Sequence, residues 1–197
     1  MKRISVFVLG VVSLSVAQEV THIDANTPRD VQVRIARSAA PKEISDNADI
    51  YALGKRGYVL VVSGTNGFSC AIERERLDTM EPECYDREGS RTTFQARWFV
   101  EKQRAAGVSE NKIKEAVDAA YKSGKFKAPT KPGIVYMLSD SNYVFDPDAK
   151  KIIHFPGHLM FYAPYATAET VGTGEGAPYI VHPGQPDALL IVVPAKR

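Results

Sequence analysis

Residues 49–72 read DIYALGKRGYVLVVSGTNGFSCAI, and this stretch decides the fold class. It contains three short runs rich in β-branched and aromatic residues, at positions 50–53, 58–62 and 68–72. Runs of this kind, separated by glycine-containing turns, are typical of β-strands. Asn66-Gly67 before the third run is a strong hairpin signal, because a type I′ turn needs positive φ at both central residues. The stretch therefore predicts three strands in an antiparallel meander.

Downstream of this stretch the apolar spacing changes to that of helices. Thr92 or Thr93 leads into a first helix, and Ser109 caps a second one whose apolar residues recur at i, i+4, i+7 and i+8. Gly107 separates the two helices, which predicts an αα-hairpin. Four further β-rich runs follow, at positions 134–138, 158–163, 179–181 and 188–193.

Upstream of the strands the sequence predicts one helix. Thr27 is its N-cap, Pro28 occupies its first position, and Pro41 ends it because the residue before a proline is pushed out of the α region. Two groups of strands around a pair of helices favour an α+β fold. We therefore expect a mostly antiparallel β-sheet with an inserted αα-hairpin and an N-terminal helix.

The first 17 residues have the three parts of a cleavable secretory signal peptide. Lys2 and Arg3 precede an apolar run at positions 4–14, and Ser15-Val16-Ala17 supplies the small residues at the cleavage site. An apolar run of about 11 residues is shorter than the roughly 20 needed to cross a bilayer. The sequence thus predicts a signal peptide at 1–17, a single globular domain at 18–197, and a periplasmic or secreted product with no membrane anchor after cleavage.

Charge balance bears on the class of partner. The chain has 25 basic and 23 acidic residues, and removal of Lys2 and Arg3 with the leader makes the two numbers equal. Opposite charges are interspersed, as in Glu73-Arg74-Glu75-Arg76. A nucleic-acid-binding protein needs clustered Lys and Arg to displace counterions from phosphates. We therefore expect no nucleic-acid partner, and a small-molecule ligand is the candidate partner.

Cys70 and Cys84 are the only cysteines of the chain. An exported protein with an even cysteine count most simply pairs them, so we predict a disulfide. By chain entropy a bridge closing a loop of this size contributes roughly 3 kcal/mol. The alternative, a metal site built on two cysteines, has no nearby His or further Cys to complete it.

His154 and His158 are candidate metal ligands. They lie four residues apart, but Pro156 and Gly157 between them exclude a helix. They would meet across a tight turn, with Asp187 from a neighbouring strand as a third ligand. Alternatively, His158 is the general base of a hydrolase and Asp140 or Asp187 orients it. A third interpretation is that His158 begins a strand and satisfies its ring nitrogens locally.

Aromatic residues crowd into the last third of the chain, and concave sites for small organic ligands are often lined in this way. Alternation along 158–163 places His158, Met160 and Tyr162 on one face of a strand. This pattern predicts Tyr136, Met160 and Tyr162 as ligand-binding residues. Strands also prefer aromatic residues for packing alone, so a purely structural role stays open.

The chain contains several short blocks of sequence that carry a resemblance to a known group of proteins. These blocks are Ser38-Ala39-Ala40-Pro41, Gly64-Thr65-Asn66-Gly67-Phe68-Ser69-Cys70, Pro82-Glu83-Cys84, Tyr136-Met137-Leu138, His158-Leu159-Met160-Phe161-Tyr162 and Ile191-Val192-Val193-Pro194. Over nearly the whole mature chain they resemble a family of exported bacterial proteins of unknown function. The resemblance implies bacterial origin, export and a single domain, and it supplies no chemistry. Some members of that family have His before the last strand, where this chain has Asp187.

Three functional hypotheses are consistent with these features. The leading one is an extracytoplasmic protein that binds a small molecule or an envelope component without catalysis, at a site near the His158 strand and the loop after Leu138. The second is a hydrolase with a His/Asp or metal-assisted site near His158. The third is a structural or partner-binding envelope protein, which a large exposed apolar patch would favour. The sequence leaves the cofactor and the oligomeric state open.

Overall fold

A computed structural model of the chain describes residues 20–172 and 177–192. The described strands are β1 (Asp49–Gly54), β2 (Gly57–Val62), β3 (Ser69–Glu73), β4 (Glu81–Tyr85), β5 (Ile134–Met137), β6 (Tyr143–Asp146), β7 (Lys151–His154), β8 (His158–Tyr162), β9 (Tyr179–Val181) and β10 (Leu189–Val192). The described helices are α1 (Arg29–Arg37), α2 (Lys42–Ser45), α3 (Arg87–Arg91), α4 (Thr93–Ala105), α5 (Glu110–Lys122) and α6 (Ala168–Val171).

Eight of these strands form one sheet in the order β2-β1-β3-β4-β5-β8-β10-β9, and β6 pairs with β7 in a separate ribbon. Neighbours in the large sheet are antiparallel except β1 and β3, which are parallel. Helices are present alongside this mixed sheet, so the expected α+β class is confirmed. Helices α4 and α5 follow one another along the chain and pack together, and α1 precedes the first strand.

The predicted three-stranded meander is wrong in its last step. Strands β1 and β2 form the expected hairpin, but β3 pairs with β1 in parallel, with Ile50 opposite Cys70. Asn66 does not turn a hairpin here. Its side chain donates to the Ile44 carbonyl at 2.8 Å and accepts from the Phe68 amide at 2.9 Å. These bonds anchor the connection on the helix α2 side, and they override the local preference of Asn-Gly for a tight turn.

Strand β4 has a composition that strand propensities disfavour, so the sequence alone does not predict it. Its alternate residues divide cleanly: Pro82 and Cys84 lie on one face, and Glu81, Glu83 and Tyr85 on the other. Pro82 is compatible with a position between two strands because β5 pairs only with Cys84 and Tyr85. The missing amide of Pro82 therefore leaves no bond of the β4–β5 ladder unmade.

Helices cover the two faces of the sheet. On one side α1 packs on β1, β3 and β4, and its buried Gln32 makes two hydrogen bonds with the backbone of Leu53. On the other side α4 packs on β2, and its Phe94 ring lies 5.6 Å from the ring of Tyr85. The second face continues under β6 and β7, and it carries the candidate site.

The predicted disulfide is confirmed: Cys70 and Cys84 are bonded and stand directly opposite one another on β3 and β4. A disulfide fits an extracytoplasmic, oxidising location. Within residues 20–172 and 177–192, no helix has the length and apolar character required to cross a membrane. The predicted signal peptide, residues 1–17, lies outside the described residues.

Candidate functional site

A cavity of about 710 Å³ lies between the sheet, helices α4 and α5, and the β6–β7 ribbon. Its walls are mainly apolar. Helices contribute Val100, Ile113 and Val117, the ribbon contributes Val144 and Ile153, and the sheet contributes Met160. Ligand sites for small organic molecules typically have this order of volume and this kind of lining.

The cavity runs from a buried floor to an exposed rim. Met160 and His158 at the floor are 3% and 2% exposed. Lys114, Pro147 and Tyr179, which also line the cavity, are exposed. The space is therefore a cleft that opens to solvent at the rim.

Two buried glutamates form the acidic end of the cavity. Glu73 on β3 and Glu83 on β4 are each 7% exposed. The Tyr85 hydroxyl lies 2.9 Å from a Glu73 carboxyl oxygen and also within hydrogen-bond distance of Glu83. A phenol has one proton to donate, so it cannot donate to both carboxylates at once. Both contacts are hydrogen bonds only when one carboxyl is protonated and donates to the phenol oxygen.

The electrostatic surroundings agree with a retained proton. Burial raises the pKa of Glu73 well above its usual value, and the charge of Glu83 adds to the effect. Burial likewise raises the pKa of Glu83, to about 7. Burial also raises the pKa of Tyr85, and the two carboxylates raise it further. The pair therefore holds a proton under conditions in which an exposed glutamate is ionised.

Arg97 on α4 is the cation next to this pair. Its Nε lies 3.3 Å from Glu73, and its Nη2 lies 3.2 Å from Asp187 and 3.1 Å from His182 Nδ1. Burial alone would raise the pKa of Asp187, but His182 and the charge of Arg97 outweigh burial and lower it to about 2. One guanidinium thus joins β3, α4 and the segment that leads into β10.

His158 is the second buried polar group of the floor. Its Nδ1 donates to the carbonyl oxygen of Pro156 at 2.9 Å. Nε2 therefore carries the lone pair, and this atom is buried without a hydrogen-bond partner. Burial lowers the pKa of His158, so the ring is neutral near neutral pH. The cavity consequently contains an unsatisfied hydrogen-bond acceptor.

The structure does not assemble the predicted hydrolase site. His158 bonds to Pro156 and not to Asp140 or Asp187, so neither acid orients its ring. Asp140 is exposed, and its backbone carbonyl accepts a bond from His154 Nε2 at 2.8 Å. Asp187 is held by Arg97.

The predicted metal ligands are also apart. His154 is exposed on the ribbon and packs edge-on against Tyr143, while His158 is buried in the cavity floor. Asp187 belongs to the Arg97 cluster. Among the described residues, no group of three or more His, Cys, Asp or Glu side chains is placed to hold a metal ion.

The predicted ligand-binding residues divide between the two faces of the sheet. Met160 lines the cavity beside His158, as alternation along β8 implies. Tyr162 does not line it, because its hydroxyl donates to Asp86 at 3.0 Å at the other end of the strand. Tyr136 lies on the opposite face and contacts the ring of Phe68, with 6.3 Å between the ring centroids.

Sequence reasoning missed the assembly of Glu73, Glu83, Tyr85 and Arg97, because Glu73 is one of many carboxylates that spacing alone does not distinguish. Two signals pointed to it. Cys84 must face its disulfide partner, so the alternating residues Glu83 and Tyr85 must share the other face. Arg97 stands three residues after Phe94, on the side of α4 that an apolar residue would normally occupy.

Comparisons of the chain with protein-family models, with curated proteins and with solved structures give no significant match. The function is therefore inferred from the cavity itself.

Proposed function

We propose that this chain is an extracytoplasmic binding protein that holds a small organic molecule in the cavity above the sheet, without catalysing a reaction. The observation that carries the proposal is the cleft of about 710 Å³, with apolar walls and a few polar groups on its floor. Apolar walls supply the driving force for binding, and a few fixed polar groups orient the ligand. Bacterial origin and export through residues 1–17 belong to the same proposal.

The hydrogen bonding and burial of His158 favour a binding function over a hydrolase function. A general base needs a partner that orients its ring and stabilises its charged form. His158 instead bonds a neutral carbonyl, and burial lowers its pKa, so its protonated form is disfavoured. These features suit an acceptor in a recognition site better than a proton shuttle.

A fluorescence titration with the uncharged probe N-phenyl-1-naphthylamine tests the proposal. Val181 on the edge strand β9 lines the cavity, and the neighbouring Ile180 points to the other face. We expect Val181→Trp to weaken probe binding by about tenfold or more, because the larger side chain fills the space that the probe needs. Ile180→Trp is the matched control and should bind like the unchanged chain.

Equal probe affinity in the two variants would place binding outside the cavity and refute the proposal. Native mass spectrometry of the mature chain provides an independent measurement. A co-purified small molecule that is retained by Ile180→Trp and lost from Val181→Trp would identify the natural ligand.

A further inference from the structure

Glu73, Glu83 and His158 on the cavity floor receive few hydrogen bonds. The buried Nε of Arg97 lies 3.3 Å from Glu73, and it also makes no hydrogen bond. Glu73 and Glu83 share the single hydroxyl of Tyr85. His158 presents a lone pair at Nε2 that has no partner, in a side chain that is 2% exposed. A buried acceptor without a donor destabilises the folded chain, so a ligand that brings donors to this floor removes that penalty.

The pair formed by Glu73 and Glu83 also has few neighbouring cations. Arg97 contacts Glu73 but is shared with Asp187, and no ion pair involves Glu83 among the described residues. Two other arginines line the cavity, and carboxylates already occupy them. Arg74 pairs with Glu101, and Arg104 pairs with Glu101 at 2.8 Å and with Glu110 at 2.8 Å. The floor therefore carries more carboxyl groups than cations.

A proton offsets this imbalance before a ligand binds, as the contacts of Tyr85 require. A ligand cation can take the place of that proton, because it supplies both positive charge and hydrogen-bond donors. The surrounding walls are apolar, and an ion there is stable only when it is directly paired. The ligand must then combine a compact cation with an apolar body that fills the rest of the cleft.

Building on the binding function above, we propose that the cavity selects ligands that carry a protonated amine on an apolar body. The ammonium binds between Glu73 and Glu83, and the proton that this pair shares is released. An N–H of the ammonium donates to each carboxylate, the O–H bond of the protonated carboxyl breaks, and its proton passes to the buffer. Each binding event thus releases one proton and involves no oxidation or reduction.

His158 extends this recognition. It stands on β8, and Glu83 stands on β4, with only β5 between them in the sheet. Neighbouring strands are about 4.8 Å apart, so the two backbones are separated by about 10 Å. A second donor on the ligand, such as a hydroxyl or an amide, can reach Nε2 of His158 from an ammonium held at Glu83.

Other titratable groups face Glu73 and Glu83 from the strands, loop and helix that pack around them. Tyr58 comes from β2, and Glu81 and Glu75 from β4 and the loop before it. Arg97 faces the pair from α4, and it is held in turn by Asp187. Burial raises the pKa of Glu81, so this carboxyl also favours its protonated form.

Isothermal titration calorimetry with three probes of one shape tests the inference. The probes are 1-naphthalenemethylamine, 1-naphthalenemethanol and 1-naphthoate, which carry a cation, a neutral group and an anion on the same body. We expect the amine to bind about tenfold or more tightly than the alcohol, and the acid to bind most weakly. The heat of amine binding should differ between phosphate and Tris buffers by the amount that release of one proton predicts, and the heat of alcohol binding should not.

Glu83→Gln should abolish both the preference for the amine and the buffer dependence, while alcohol binding persists. Glu115→Gln, an exposed glutamate on α5, is the matched control and should behave like the unchanged chain. Equal affinity for amine and alcohol, or an amine heat independent of buffer, overturns the inference and leaves the binding function standing. If none of the three probes binds, the proposed binding function fails, and this inference fails with it. The buffer comparison uses the unchanged chain, so it tests the inference even if Glu83→Gln does not fold.

Discussion

Glu83 combines a negative charge with deep burial on the floor of the cavity. Its neighbours on β4 are a proline and a cysteine that face the opposite side, so alternation forces its carboxyl into the cavity. Because the side chain is 7% exposed, its ionisation is costly in the folded state. The cost of burying such a group is typical of functional sites, where it supports recognition and not stability.

The burial of Glu83 predicts how the stability of the protein depends on pH. Burial raises the pKa of Glu83 in the folded chain to about 7 from an ordinary value of 4.5. The folded state therefore binds more protons than the unfolded state across this interval. The contribution of the protonated Glu83 carboxyl to stability is fully present below pH 4.5 and is lost as pH rises through 7. We expect urea denaturation to give a free energy of unfolding that falls over this range. Glu83→Gln should reduce this slope, and Glu73 and Glu81, whose pKa values are also raised by burial, account for the slope that stays.

Glu115→Gln serves again as the control, since an exposed glutamate should leave the slope unchanged.

Asp187 affects stability in the opposite sense and at lower pH. Its pKa is lowered from 3.8 to about 2, so its contribution is present above 3.8 and is lost as pH falls through 2. It therefore does not affect the interval assigned to Glu83. Parallel profiles for the unchanged chain and Glu83→Gln would show that Glu83 does not control this slope.

At the level of elements, helix α4 is tied to the sheet by a buried ion cluster. Glu101 is 3% exposed and pairs with Arg74, which follows β3, and with Arg104 on its own helix. Arg104 also donates to the backbone carbonyls of Arg74 and Glu75. This cluster fixes the loop after β3 against the helix and thereby sets the wall of the cavity next to Glu73.

Removing one member of such a cluster leaves buried charge without a partner. We expect Glu101→Ala to lower the free energy of unfolding by about 3–5 kcal/mol. The matched control is Asp118→Ala on α5, which breaks the exposed pair with Lys114 and should cost less than about 0.5 kcal/mol. Chemical denaturation of both variants measures the difference. Similar small losses in the two would mean that the cluster positions α4 without stabilising it.

Prediction of elements from sequence succeeded where local chemistry and tertiary structure agree. The runs 50–53 and 58–62 lie in strands, because β-branched and aromatic residues suit a pleated, half-buried surface. Prediction failed for β4, because two glutamates and a proline are unfavourable for a strand. Strand β4 is stabilised in part by pairing with β5, which is distant in sequence. Prediction failed also at Asn66-Gly67, whose hydrogen bonds go to the α2 region and not to a hairpin partner.

At the scale of the whole molecule, the β6–β7 ribbon is a wall of the cavity with little strand pairing to the main sheet. Outside its own pairing, it joins the neighbouring strand region by an isolated bridge between Met80 and Tyr143. Strands β4 and β5, by contrast, are each paired on both sides. Segments with few pairings open locally at low free energy cost, and binding loops are often drawn from them.

Hydrogen–deuterium exchange tests this difference in anchoring. We expect backbone amides of β6 and β7 to exchange faster than those of β4 and β5 in the absence of a probe. A probe bound in the cleft contacts Val144 and Ile153, so it should slow exchange in the ribbon more than elsewhere. Uniform exchange across both regions would mean that the ribbon is as firmly held as the sheet.

Local sequence is sufficient to predict the α+β class and the disulfide. The assignment of strands depends on local propensity and alternation. Two cysteines in a chain that is predicted to be exported allow a single pairing. The order of the strands and the assembly of Glu73, Glu83, Tyr85, Arg97 and His158 required the folded chain. These residues come from four separate elements, and the contacts that unite them depend on long-range strand pairing and helix docking. Neither local propensity nor residue spacing encodes those contacts, so the site became visible only with the fold.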